Sequence, residues 1–445
     1  YGGAGLEKSV AGDFKIDGMG LKITVTDRIY KALSILHTGS ATESSISIKN
    51  ITIDGSGNAT DGLYITTESK VSSIEVENVT TFDFDNADLP LIVSTSGISV
   101  VGDADKISIN KSSTKEVVRT QVNPGVVSSS GVKVSGATGI VVIDGVVVDN
   151  VTSPAGDADA DGIVVFGDAN RLIAPSQDQK SNTTITNCNV KSCKGRTVKL
   201  QIANFKVFNN YFDTDNMEVV TNFKIVDAQI GGGNIYDNTI RVGDLPSPES
   251  LVIFGVQSHE YGGNESTFNI HDNTIIITSN IPYLMQCSID EGTKTNIKLH
   301  DNIVISEGNS YRVVNTVYFA GLPESADTFN IEVKDNEIPI GSGALFWCNS
   351  TTSTNWENAT KGPIMSDYIS IVATGNKNTL ENSACDIFNA ANVVPYLQNI
   401  VISNNPNFGR ASLTVKGIDI FNLPDGNSFY YNNDGSTGGL INAPT

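Results

Sequence analysis

The chain has 445 residues, 7% aromatic and 18% charged, with 41 glycines and a formal net charge of −20. An acidic surface repels phosphate backbones and anionic headgroups, which argues against nucleic acid and membrane surfaces as partners. No apolar run approaches the ~20 residues of a bilayer-spanning helix; the nearest, GIVVIDGVVV (139–148), is broken by Asp144.

In chain order, one phrase recurs. It stands as ISIKNITI (46–53), IEVENVTTF (74–82), IVVIDGVVV (140–148), TTITNCNV (183–190) and FKVFNNYF (205–212). It continues as NIYDNTIRV (234–242), NIHDNTIII (269–277), IKLHDNIVI (297–305), IEVKDNEIPI (331–340), ISIVATGN (369–376) and NIVISNNPNF (399–408). Each copy reads as a strand with alternating apolar residues, a sharp turn at Asn, Asp or Gly, and a second strand. The turn residues Asn210, Asn238, Asn273, Asn302 and Asn336 are spaced by 28, 35, 29 and 34 residues. That variable period fits coils whose turns differ in length, not propeller blades. A third apolar stretch lies between copies, as in RTVKLQ (196–201), SLVIFGV (250–256), YLMQCSI (283–289) and ALFWC (344–348).

Three strands per winding predict an all-β fold, a single-stranded right-handed parallel β-helix (solenoid) of about eleven coils with side loops. We expect residues 1–408 to form it as one unit, with an irregular side-loop region at about 83–136, and 409–445 to be a C-terminal strand or tail segment. Asparagine suits the turn because it tolerates left-handed dihedrals and its amide can bond its neighbour one coil on. The chain begins at Tyr1, not Met, and reads as a fragment or processed product. The five cysteines, Cys188, Cys193, Cys287, Cys348 and Cys385, are odd in number and lack zinc-type spacing, so we expect buried free thiols; a Cys188–Cys193 pair is the alternative.

The NIHDNTI-type turns, TDGLYI (60–65) and ADGIVVFG (160–167) opening strands, and GRTVKLQ (195–201) together resemble the pectin-lyase-like superfamily of right-handed β-helices. Within it the chain is most similar to bacteriophage tailspike depolymerases, over most of residues 40–408. The resemblance implies a long bacterial surface polysaccharide laid in a groove along the rod, a homotrimer, and a place on the virion tail. A secreted bacterial protein is the alternative. Fold alone fixes none of these, since the superfamily spans hydrolases, lyases, esterases, epimerases and plain binders.

Three clusters could carry chemistry. In GDADADG (156–162), Asp157, Asp159 and Asp161 alternate before Gly162, and Asp168 falls at the twelfth position. This matches the first half of a calcium loop without its usual Glu or flanking helices, so Ca2+ is the one metal suggested and no cofactor is required. The crowded carboxylates could instead hold one proton for general acid work, or form a solvated acidic loop. Next, Arg196, Lys199 and Gln201 follow one coil later. With Val198 and Leu200 facing the core, Lys199 and Gln201 would face solvent, and stacking would set the Asp161/Asp168 region beside Lys199. CKGRTVKLQ also resembles a lyase branch in which a Lys is the base, assisted by an Arg on the next coil. Here that coil, NFKIVDAQ (222–229), offers Lys224 and Asp227 instead, and the bland reading of Lys199 is an exposed strand lysine. The third cluster, YFDTDNMEV (211–219), places Asp213, Asp215 and Glu218 on a turn, where ordinary turn chemistry competes with a catalytic role.

His271 and His300 hold the same place in adjacent copies and should stack as a structural ladder, not a metal pair. No nucleophile elbow, Walker loop or dinucleotide fingerprint is present. The leading expectation is a glycosidase whose acid and base come from the 157–168 and 213–218 regions, with Lys199 and Arg196 orienting anionic sugars. A lyase or epimerase with Lys199 as base is the runner-up, and a non-catalytic adhesin shaft the rival outside enzymes.

Overall fold

The structure is a computed structural model. It describes residues 4–40, 42–85, 94–120, 128–154, 159–167, 182–202, 204–214, 224–243, 251–258, 265–289, 294–321, 329–348, 369–380, 386–390, 397–403, 405, 428–432 and 439–442. It is a parallel β-solenoid, as the alternating pattern predicts. Among the described residues there is no α-helix, only the 3-10 turn Glu307–Asn309. The chain divides into two compact units, residues 1–227 with 244–250, and 228–243 with 251–445.

In the first unit one strand per winding builds a first sheet: Ala4–Val10, Ile29–His37, Ala59–Thr67, Thr95–Val101, Ser129–Ser135, Ala160–Phe166 and Val198–Gln201, all parallel. The repeated phrase supplies the other strands, which form the second sheet. Alternation turns every second residue inward, and equal register stacks like on like. Ile48, Val76, Ile109, Ile143, Ile185 and Val207 form one such column, every member fully buried. Each such side chain contributes about 2 kcal/mol of burial.

Within the stretch expected to hold a side loop, residues 86–93 and 121–127 lie outside the described residues, and the described ones are regular. Thr95–Val101, Ala104–Asn110, Ser113–Val118 and Ser129–Ser135 all pair in parallel with their neighbours. Ser96 and Ser130 take strand positions there in place of apolar residues, which hid the phrase. With these windings and the early ones, the stack departs from the count of about eleven read from the phrase.

In the second unit the first sheet stacks Val252–Ser258, Ile281–Ile289, Val313–Gly321, Ile340–Cys348 and Asp386–Ala390. A buried asparagine column runs Asn238, Asn273, Asn302, Asn336, Asn376 and Asn405, each Nδ2 donating to the next Oδ1 at 2.9 Å. These asparagines are not the left-handed residues. Asp237, Asp272, Asp301 and Asp335, one position earlier, take φ of 51–54°. The Asp makes the bend and the Asn makes the ladder. His271 and His300 do stack, with centroids 4.9 Å apart, and Tyr236 extends the pile at 5.0 Å. In the tail region, Ser428–Asn432 pairs parallel to Leu397–Ser403 and antiparallel to Gly439–Asn442.

Cys188, Cys193 and Cys287 are buried free thiols. Burial pushes the Cys188 thiol up to about 12 and raises the other two as well, which makes all three poor nucleophiles.

Candidate functional site

The second sheet shows water one face, but the first sheet of the first unit buries much of its outward side. Ser34, Ser99 and Val164 are buried although they point away from the core. Polar groups on that face are thereby desolvated and must find partners.

At the start of each first-sheet strand the sequence writes a small or polar residue, then Asp or Ser, then Gly. Asp61, Ser96, Ser130 and Asp161 are in register as one outward column. The glycines behind them, Gly62, Gly97, Gly131 and Gly162, sit where no side chain fits. A Cβ on Gly131 would lie 2.7 Å from the Gly162 carbonyl oxygen, and one on Gly162 2.4 Å from Val190. The glycines let successive windings close up, which brings the polar column together.

Arg196 follows Asp161 in that column, since Gly162 N–H donates to the Arg196 carbonyl at 2.8 Å. Around its guanidinium, three windings converge. Nη1 donates to Asp159 Oδ1 at 2.6 Å and lies 3.5 Å from Asp161 Oδ1; Nε donates to Asp227 Oδ2 at 2.6 Å. The Arg196 backbone N–H donates to Asp161 Oδ1 at 3.0 Å. Lys199 Nζ is 3.3 Å from Asp159 Oδ1 and 4.0 Å from Asp161 Oδ2, and Lys224 Nζ donates to Asp227 Oδ1 at 3.3 Å. Three carboxylates meet three cations. Phe166 lies between Lys199 and Lys133, whose Nζ atoms are 5.7 and 5.9 Å from its ring centre.

The carboxylates are not alike. Asp161 is 1% exposed, and burial raises it to about 6 despite the pull of Arg196 and Lys199. Burial also works to raise Asp159, but Lys199 and Arg196 outweigh it and hold that group below the ordinary carboxylate value. The Asp159 side chain is 39% exposed and forms the solvent edge of the cluster. Burial lowers Lys224, and Arg196 lowers it further. Burial works against the Arg196 charge, yet Asp161, Asp227 and Asp159 keep it firmly protonated. The site thus holds one acid that titrates near neutrality beside one that stays ionised. Both contact Arg196 Nη1, so their nearest oxygens lie within about 6 Å of each other.

Of the expected site residues, Asp159, Asp161, Arg196 and Lys199 are brought together. Lys199 sits beside Asp161 as the coil step requires, but it is 5% exposed and not a solvent-facing strand lysine. The covered outer face is the reason. Asp213 lies on the second sheet, in Tyr211–Asp213, where the Tyr211 hydroxyl donates to it at 3.0 Å. Asp157, Asp168, Asp215 and Glu218 fall outside the described residues. Among the described residues no three His, Cys, Asp or Glu side chains cluster as metal ligands; Asp159 and Asp161 instead face Arg196 and Lys199. Two further residues belong here. Asp227 closes the cluster, and its only signal was its place one winding after Arg196. Asp61 is a second acid on the same column, raised to about 6 by burial against its Ser96 hydrogen bonds and nearby Lys31 and Lys133. The shared Asp-Gly at 61–62 and 161–162 was the signal for it.

The fold and site define a class: a parallel β-helix with a buried mixed-charge cluster on the outer face of one sheet. No protein-family model matches the chain, nor does any curated protein or solved structure.

Proposed function

We propose that the protein binds and depolymerises a bacterial surface polysaccharide, capsule or O-antigen, by acid–base glycoside hydrolysis at the Asp159–Asp161 pair, in the manner of a phage tailspike. The observation that carries this reading is the unequal carboxyl pair on one guanidinium nitrogen, one acid near 6 and one held ionised. The bound of about 6 Å between their nearest oxygens admits the retaining mechanism, where the carboxyls stand ~5–5.5 Å apart.

Asp161 gives its proton to the glycosidic oxygen as the bond to the anomeric carbon breaks. The Asp159 carboxylate attacks that carbon and forms the glycosyl ester. Asp161, now ionised, takes a proton from water, and the water displaces Asp159. Arg196 and Lys199 fix both acids and attract a carboxylate-bearing sugar. The homotrimer and the extracellular setting come with the tailspike likeness and belong to this proposal.

The test is incubation with capsule and O-antigen preparations while following new reducing ends and the ultraviolet absorbance of unsaturated uronates. Reducing ends alone are expected. Asp161→Asn should slow their release at least ~100-fold, the scale of general acid catalysis, whereas Asp213→Asn should leave it intact. Absorbance rising with the reducing ends would replace hydrolysis by elimination with Lys199 as base. Binding without either signal would make the protein an adhesin.

A further inference from the structure

Asp227 closes the cluster on its buried side. It lies in the strand Lys224–Ile230, one winding beyond Arg196, and is fully buried, whereas Asp159 forms the solvent edge. With no surface exposed, it touches no ligand, and it takes no part in the proposed steps. Yet it makes one of the two shortest contacts of the guanidinium, accepting from Arg196 Nε at 2.6 Å.

A guanidinium is a rigid plane, so two contacts orient it where one does not. Nε carries a single N–H, and Asp227 takes it. With that end held, Nη1 is delivered to Asp159 Oδ1 at 2.6 Å and to within 3.5 Å of Asp161 Oδ1. Lys224 holds Asp227 in turn: its Nζ donates to Oδ1 at 3.3 Å, so each oxygen of Asp227 serves one cation. Burial disfavours the Lys224 charge and Arg196 disfavours it further. Asp227 is what lets the two cations share one buried place.

The Asp-Gly pair at 61–62 gives an internal comparison. Asp61 and Asp161 each accept a backbone N–H from the next winding, of Ser96 and of Arg196. That bond alone sets the column carboxyl. What the Asp161 winding adds is a second carboxyl on the same cation, and the side chain that gathers the two is the one Asp227 holds. At Asp61 the next winding offers only a Ser96 hydroxyl in that place.

We propose that Asp227 is a positioning residue: it anchors Arg196 by Nε, so that one guanidinium nitrogen holds both Asp159 and Asp161, and Lys224 steadies it for that task. The catalytic meaning of this role rests on the hydrolytic reading; the anchoring itself does not.

The test reads the Arg196 Nε–H directly, as its nitrogen–proton signal in the NMR spectrum of the full chain, identified by its loss in Arg196→Lys. In the parent this proton should exchange slowly with water, as a buried hydrogen-bonded proton does. Lys224→Met/Asp227→Leu removes the anchor while keeping side-chain volume and leaving no unpaired Lys224, which guards against misfolding. It should speed the exchange about 10- to 100-fold, the worth of one hydrogen bond to a charged group. Asp159→Asn and Asp227→Glu should both leave it slow. On a polysaccharide that the parent cuts, the double variant should lower kcat about tenfold at unchanged KM. Asp227→Glu should restore most of that rate, a rescue that loss of packing alone would not show. Unchanged exchange in the double variant overturns the inference. So does equal release in Asp159→Asn, which would make Asp159 the anchor, or a raised KM at parental kcat, which would make Asp227 part of the binding surface. A parent that cuts nothing sinks the hydrolytic reading alone, since the exchange rate still reports what holds Arg196.

Discussion

Asp61 and Asp161 meet the same physical conflict at two points of one column. Each sits on the outward side of a strand, where chain direction alone would give it water; Asp161 is fully covered and Asp61 half-buried. Asp161 is compensated by Arg196 and Lys199 at contact distance. Asp61 has Ser96 and more distant lysines, so it isolates the cost of burial. Its value in the folded chain is about 6 against 3.8 for an ordinary Asp, so the native state binds its proton more tightly than the unfolded chain does. The resulting stability is complete below pH 4 and is lost as pH rises through 6. The shift is worth ~2 kcal/mol after allowance for its partial exposure. Asp61→Asn keeps the shape and an acceptor for Ser96 but cannot ionise. The variant should match the parent at pH 4 and exceed it by ~2 kcal/mol at pH 8 in urea unfolding; equal midpoints at pH 8 would show that Asp61 is not desolvated. The motif exposed both acids in the sequence. Their burial was not legible, because nothing local says which outward face of a sheet is covered.

At the scale of the element, the turn between strands divides its work between two residues. Reading Asn as both the bend and the ladder joined two physical demands that the chain keeps apart. A left-handed residue needs only a short side chain that tolerates positive φ, which Asp301 supplies at φ 54°. The next residue points inward and must satisfy buried backbone. Asn302 is fully buried; its Oδ1 accepts from the Asn273 N–H at 3.2 Å, and its Nδ2 donates to the Ile270 carbonyl at 3.0 Å. Asn302→Ala leaves both groups unpaired and should cost on the order of 3 kcal/mol. Asp301→Gly keeps the bend and should cost under ~1 kcal/mol, because glycine enters the left-handed region freely. Urea midpoints of the two variants decide the matter, and equal losses would refute the division of labour. The stacking of Asn238, Asn273 and Asn302, and of His271 on His300, was legible because a repeated phrase in register repeats its side chains in space. The assignment of φ was not, since Asp and Asn tolerate the same region.

Across the whole molecule, the net charge of −20 sets a repulsion that compactness concentrates. Asp159, Asp161 and Asp227 are compensated by Arg196, Lys199 and Lys224 in contact, and the net charge remains for solvent and salt to screen. Raising salt from about 10 mM to about 150 mM shortens the screening length from about 30 to about 8 Å and should raise Tm by roughly 2–5 °C. A Tm that ignores salt would mean that the surface charge is already locally balanced. By itself the sequence determined the solenoid, its inward columns and the meeting of Asp161 with Lys199 one winding apart, because period and alternation are local properties that a repeating chain carries everywhere. The tertiary structure alone decided that Lys199 is buried, that Arg196 gathers Asp159, Asp161 and Asp227, that Asp213 stands on the other sheet, and that the chain divides into two units. Those outcomes depend on which face is covered and on distances between side chains from different windings, and the identity of a residue does not encode what will lie across from it.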